Sequence, residues 1–173
     1  MKVTLAQLNP TVGDVEGNLS KLRKVVSESE PGLIVFSELF ITGYPPKDLL
    51  ERREFLRNVD DAVRYVVSLS KRFPGRSILF GAPIQEKSRL YNSAILASRG
   101  RVLLTQHKSL LPTYDVFDET RYFKPAERLR VVGLGGEKIG VSVCEDAWCD
   151  ASTLGSVDYT SDPISELAEM GAT

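Results

Sequence analysis

Three residues that could share one piece of chemistry each follow a run of strand-forming residues: Glu38 after Leu33-Ile34-Val35-Phe36, Lys108 after Val102 to His107, and Cys144 after Gly140 to Val143. Charged side chains are uncommon at buried strand ends unless they are paired, and sites in α/β proteins collect beyond strand ends. An ammonium beside a thiol favours the thiolate, and a neighbouring carboxylate can take the proton as general base. The thiolate would attack an amide carbon to give an acyl-enzyme, which water then hydrolyses. Lys108 and a backbone N–H after Cys144 would hold the tetrahedral oxyanion. Each residue has a plainer reading as well. A buried Cys is commonly an inert small hydrophobe, Glu and Lys commonly sit on a solvated face, and only geometry decides whether three residues act together.

The elements that must position this set follow from apolar spacing. Val3 to Leu8 reads as a short buried strand. Leu19, Leu22, Val25 and Val26 line one helical face that ends near Ser29, before Pro31-Gly32. Leu33 to Phe36 is a continuous apolar run of the kind found in strands buried on both faces. After a Gly43-Tyr44-Pro45-Pro46 loop, Phe55, Val59, Ala62, Val63, Val66 and Leu69 mark a second amphipathic helix, closed by Pro74-Gly75. Ser77 to Ile84 is a third strand, and Tyr91 to Ala97 and Val102 to Gln106 form a hairpin around Ser98-Arg99-Gly100-Arg101. Lys108 to Pro125 has no clean period, and long loops are unusual unless they carry function. Lys138 to Cys144 is a further strand, and Ile164 to Met170 a helix. The layout is a layered α/β domain.

Composition narrows the function classes. With 22 Lys and Arg against 23 Asp and Glu, the 173-residue chain has no basic surplus of the kind nucleic acid or an acidic membrane calls for. No apolar stretch is long enough to span a bilayer, and Met1-Lys2-Val3-Thr4-Leu5 has no signal-peptide layout. The 2 cysteines, Cys144 and Cys149, make no disulfide framework, and with the lone His107 they fall short of a structural zinc set, so no metal is expected. A reducing cytoplasm is the default compartment, and Cys149 reads as a bystander thiol.

Three blocks carry a resemblance. Phe36-Ser-Glu38-Leu-Phe-Ile-Thr-Gly-Tyr44-Pro, His107-Lys108-Ser-Leu-Leu-Pro-Thr-Tyr114-Asp-Val-Phe117-Asp-Glu119-Thr-Arg-Tyr-Phe123 and Gly140-Val-Ser-Val-Cys144-Glu145-Asp-Ala-Trp148 look like the signature blocks of the nitrilase superfamily, in order. The middle block, Leu5-Ala-Gln-Leu-Asn-Pro-Thr-Val-Gly-Asp14 and Cys-Glu-Asp-x-Trp resemble its glutaminase (amidase) branch, found in glutamine-dependent NAD synthetases. The resemblance implies an α-β-β-α sandwich, with Glu38 as general base, Lys108 as oxyanion stabiliser and Cys144 as nucleophile. It implies that Glu119 supports the lysine and the attacking water, the alternative being a loop salt bridge to Arg121. It implies further that Tyr44, Tyr114, Phe117 and Glu145 line a glutamine pocket, Glu145 being suited to pair with an amino-acid ammonium. The aromatic members are also ordinary packing candidates. Trp148 is expected in the core, and His107 as a satisfied strand-end histidine.

Glutamine hydrolysis needs no cofactor. ATP and Mg²⁺ are expected in a separate synthetase domain, of which this chain has neither a Ser-Gly-Gly-x-Asp-Ser loop nor a Walker pattern. Residues 1–173 are expected to be the amino-terminal part of a glutaminase domain, stopping in mid-domain and leaving apolar sheet edges to be covered. The partners implied are L-glutamine, the synthetase domain and further copies in a homo-oligomer. Two rivals stay open: a stand-alone nitrilase-like amidase acting on another small amide, and an inactive fragment with an assembly role.

Overall fold

Asp14 starts the first helix, α1 (Val15–Glu28), its carboxylate accepting the Gly17 N–H at 2.9 Å. Leu22 and Val26, one turn apart, are fully buried. In α2 (Arg53–Arg72) the same spacing recurs through Val59, Ala62, Val63, Val66 and Leu69, with Lys71 and Arg72 in the last turn where the helix dipole favours them. These faces pack on one side of a sheet, against Ile34, Phe36, Ile78, Phe80, Ala82, Ile95 and Ala97. Each large side chain so buried stabilises the fold by about 1.5–3 kcal/mol. The structure, a computed structural model, describes residues 1–148, 159 and 161–173.

The sheet has five strands in sequence order: β1 (Val3–Leu5), β2 (Gly32–Val35), β3 (Arg76–Glu86), β4 (Arg89–Ser98) and β5 (Arg101–His107). The first three are parallel, joined through α1 and α2, and β3, β4 and β5 form an antiparallel meander. The β4–β5 turn has Arg99 and Gly100 both at positive φ, 53° and 78°, the twist that a two-residue hairpin loop needs. The β3–β4 hairpin turns on Lys87-Ser88, which carries no Gly or Asn signal, and sequence reading had no warrant to join those strands directly.

Two strand expectations are corrected. The strand opening the chain ends at Leu5 and lies at the sheet edge, with Val3 50% and Leu5 76% exposed, because an outer strand has one neighbour only. The strand expected to reach Cys144 stops at Gly140: β7 (Glu137–Gly140) pairs with β6 (Val131–Leu134) in a two-stranded sheet, and the ladder ends where β6 begins, at Val131↔Gly140.

Val132, Leu134 and Ile139 of this small sheet pack with Val141 and Val143 on Leu33, Ala94, Leu96 and Leu104, the five-stranded sheet's other face. Two helices, a sheet and the beginning of a second sheet thus stack in the order expected of an α-β-β-α sandwich. The last helix, α4 (Pro163–Glu169), lies against the second sheet, Leu167 beside Gly140. No helix among the described residues is long and apolar enough to cross a membrane.

Candidate active site

Glu38 reaches the site because a glycine lets its loop lie on the sheet. After β2, Phe36 N–H still bonds the Leu79 carbonyl at 2.8 Å, and Ile41 N–H bonds the Gly81 carbonyl at 3.1 Å. A Cβ at Gly81 would come within 2.2 Å of the Leu39 nitrogen and 2.8 Å of the Glu38 carbonyl carbon, so only glycine admits this approach. Lys108 follows β5 directly, its N–H extending the ladder to the Asn92 carbonyl at 2.8 Å. Glu119 opens the single-turn helix α3 (Glu119–Tyr122).

The Lys108 ammonium, on a residue with no exposed surface, sits between two carboxylates: 2.7 Å from Glu38 Oε1 and 2.8 Å from Glu119 Oε1. Burial opposes the ammonium, but the two carboxylates outweigh it, and its pKa is raised. Glu119 is pushed upward by burial and by Glu38, against Lys108 and a 3.0 Å hydrogen bond donated by Tyr44 Oη. The salt bridge considered for Glu119 does not form: Arg121 faces Asp48 and Glu51, at 3.5 and 3.9 Å.

Cys144 begins a short 3-10 turn (Cys144–Ala147) with φ at +46°. A non-glycine residue there costs about 1–3 kcal/mol and persists only where its surroundings impose it. A strained turn at a nucleophile lifts the side chain clear of the backbone. Burial of the thiol comes first, Glu38 second, and together with Glu145 they push the Cys144 pKa up to about 11, while Lys108 pulls it down. The expectation of a thiol lowered by its lysine is therefore corrected: Lys108 acts in that direction but is already balanced by two carboxylates. The resting group is a thiol, on a residue with an exposed face, whose charged neighbours are Glu38, Lys108 and Glu145.

One carboxylate that the sequence reading passed over joins these loops. Asp146, with no exposed surface, accepts the N–H groups of Ser109 (2.9 Å) and Leu110 (2.8 Å) on one oxygen and Val143 (3.0 Å) on the other. The peptides just after Lys108 and just before Cys144 therefore hang from one side chain. Burial raises its pKa against these three bonds. Asn92 was missed too. It is 1% exposed and donates Nδ2 to Glu38 Oε1 at 2.6 Å and to Glu119 Oε2 at 3.4 Å. A polar residue amid the apolar β4 was the available signal; the Cys-Glu-Asp adjacency was the one for Asp146.

Beside the cluster lies an aromatic wall. Phe117 packs between Tyr44 (ring centroids 6.3 Å) and Tyr114 (5.6 Å, edge-on). Glu145, buried, accepts Tyr114 Oη on both oxygens at 2.9 and 3.0 Å, and Tyr159 Oη at 2.6 Å. The structure thus brings Tyr44, Tyr114, Phe117 and Glu145 together. Trp148 is 50% exposed rather than in the core, because the 3-10 turn ends at Ala147 and leaves it outside. His107 is satisfied as expected, 2.8 Å from Ser93 Oγ and stacked on Tyr91. Cys149 lies outside the described residues. A roomier groove of 680 Å³ runs between α1 and α2, past Asp14, Arg23 and Tyr65, but it holds no paired carboxylate and lysine. Chemistry, not volume, marks the site.

The model of the carbon-nitrogen hydrolase family matches residues 2–154. A glutamine-dependent NAD(+) synthetase of Thermotoga maritima is 44% identical over 151 residues, 86% of this chain and 26% of its own length. The solved glutamine-dependent NAD+ synthetase from Acinetobacter baumannii, in complex with ADP, aligns with a TM-score of 0.80 at 30% identity, covering 98% of this chain and 30% of that one. An amidase from Nesterenkonia sp. AN1 aligns at 0.76 and 25% identity, covering 85% of this chain and 58% of that one, and this mutant form shows the result of Michael addition of acrylamide at its active site cysteine. The chain spans about a quarter of the length of the curated relatives it matches.

Proposed function

The chain belongs to the carbon-nitrogen hydrolase family, and we propose that it hydrolyses the side-chain amide of glutamine, supplying ammonia to an NAD synthetase of which it is the amino-terminal part. The observation that carries this reading is the ammonium of Lys108 held between Glu38 and Glu119, with the Cys144 thiol near enough for Glu38 to raise its pKa and Lys108 to lower it.

Glu38 takes the thiol proton as the sulfur attacks the amide carbon, forming a C–S bond and moving the carbonyl electron pair onto oxygen. The Lys108 ammonium stabilises that oxyanion together with a backbone N–H after Cys144. As the tetrahedral adduct collapses, Glu38 returns its proton to the leaving nitrogen, and ammonia departs from a thioester. Water then attacks the thioester. Glu38 takes its proton, with Glu119 holding Lys108 and orienting the water, and glutamate leaves as the thiol is restored.

Glu145 favours an amino-acid substrate over a neutral amide or nitrile. Its carboxylate accepts from two tyrosines, and a substrate ammonium would compete for the same oxygens. Tyr44, Tyr114 and Phe117 would enclose the side chain. The ammonia would pass to a synthetase domain in the longer protein, where ATP and Mg²⁺ activate deamido-NAD for amidation; no step above uses them. This reading places the protein in the cytoplasm, as a homo-oligomer. Relatives named as glutamine-dependent NAD synthetases support the substrate.

A glutamine-like diazoketone tests the reading. Mass spectrometry of the full-length protein should find one adduct, on Cys144, blocked by excess glutamine. An unmodified Cys144 in protein that hydrolyses glutamine, or labelling indifferent to glutamine, would overturn it.

A further inference from the structure

We infer that Asn92 is a positioning residue that locks one oxygen of Glu38, so that the carboxylate presents its other oxygen to the Cys144 thiol. This deepens the amide-hydrolysis reading and rests on it. Both protein N–H donors to Glu38, Lys108 Nζ at 2.7 Å and Asn92 Nδ2 at 2.6 Å, fall on Oε1. Among the described residues no N–H donor meets Oε2. An oxygen bearing two donors, one of them cationic, is a poor proton acceptor, so Oε2 keeps the basicity. Lys108 alone fixes a point on the carboxylate; a second donor on the same oxygen also fixes its rotation.

Asn92 suits this task because its backbone is held by the sheet. It pairs with Pro83 of β3, and its carbonyl accepts the Lys108 N–H. The amide and the lysine are therefore carried by the adjacent strands β4 and β5, and the acid by the loop after β2 that lies across β3. A buried asparagine kept for structure spends both ends of its amide on backbone groups. Here Nδ2 serves two carboxylates, and Oδ1, fully buried, has no partner among the described residues. Such unsatisfied atoms are few in native folds and call for an explanation. The amide is turned to suit the carboxylates at the expense of its own oxygen. The charged and titratable groups around it are Glu38, Lys108, Glu119 with Tyr44 on its oxygen, and the Cys144 thiol, whose pKa Glu38 raises.

Two variants of the full-length protein test this, Asn92→Ala and the isosteric Asn92→Asp, with steady-state glutamine hydrolysis, melting temperature and the pH dependence of Cys144 alkylation by iodoacetamide. In both, kcat should fall about tenfold to a hundredfold, with KM nearly unchanged, as for an interaction that matters only once the proton moves. The alkylation midpoint should move to higher pH, further in Asn92→Asp, where a negative charge replaces a donor. Wild-type kcat and midpoint in Asn92→Asp would overturn the inference. So would activity lost only in step with melting temperature, the midpoint unmoved, which marks a structural asparagine. A shifted midpoint in a protein that ignores glutamine would uphold the inference while the glutamine reading fell.

Discussion

The helix-backed part of the molecule and the loops after Lys108 are held by opposite means. Between Val3 and Ser98 the chain repeats strand and helix, and the sheet face that α1 and α2 cover is apolar, with Leu22, Val26, Val59, Val66, Ile78 and Phe80 in one cluster. From Lys108 to Trp148 the backbone is mostly irregular, and its buried residues include Lys108, Glu119, Glu145 and Asp146. An apolar interior needs volume, and tolerates any residues that fill it. An interior of charges needs every partner in place, because breaking a buried pair costs about 3–5 kcal/mol. The first part is a platform and the second an instrument mounted on it.

The comparison makes predictions, and the sharpest is that the instrument can be silenced without loosening its mount. Cys144→Ala should abolish glutamine hydrolysis while leaving the melting temperature at the wild-type value. Replacing the strained residue at φ +46° changes the side chain and keeps the backbone in question. A large melting shift would show the turn to be structural. Next in size, Lys108→Ala should lower turnover by on the order of a hundredfold or more, the scale of one lost oxyanion donor. It should also cost about 3–5 kcal/mol of stability, seen in denaturant titration, because buried Glu119 and half-buried Glu38 lose their cation. Stability untouched by this variant would break the distinction between the two parts.

Leu69→Ala tests the platform. It should cost about 2–5 kcal/mol and leave activity per folded molecule unchanged; a matching loss of turnover would mean that α2 reaches the chemistry. The smallest effect is a titration. Because Glu38 raises the Cys144 thiol and Lys108 lowers it, Glu38→Gln should bring its alkylation midpoint down from about 11, and Lys108→Ala should take it up. Shifts of one sign in both variants would contradict the assigned neighbours.

The same division sets what could be read from the sequence. The face of α2 was legible because Val59, Ala62, Val63, Val66 and Leu69 follow a period of their own. Glu38, Lys108 and Cys144 were visible as ionisable residues following apolar runs, and the resemblance of their flanking blocks grouped them. Asn92 and Asp146 were not. Their partners lie 54 and 37 residues away, on Glu38 and Ser109, so the local signals, a polar residue amid apolar β4 and the Cys-Glu-Asp adjacency, mark a position without naming what it holds. Val141 to Val143 looked like strand, since valines suit a pleated surface; they leave the ladder because β6 begins at Val131. The thiol was misjudged for a related reason: a lysine shared between two carboxylates has little charge left for a third group.

That sharing has a consequence for how charge moves during turnover. Two carboxylates and one ammonium leave the cluster with a single negative charge, and the thiol adds none. When the proton crosses from sulfur to Glu38, one carboxylate is neutralised as a thiolate appears beside it. The tally is the same before and after; only the address of the charge changes. The surrounding solvent and counterions have little rearranging to do, so this step should be nearly blind to ionic strength.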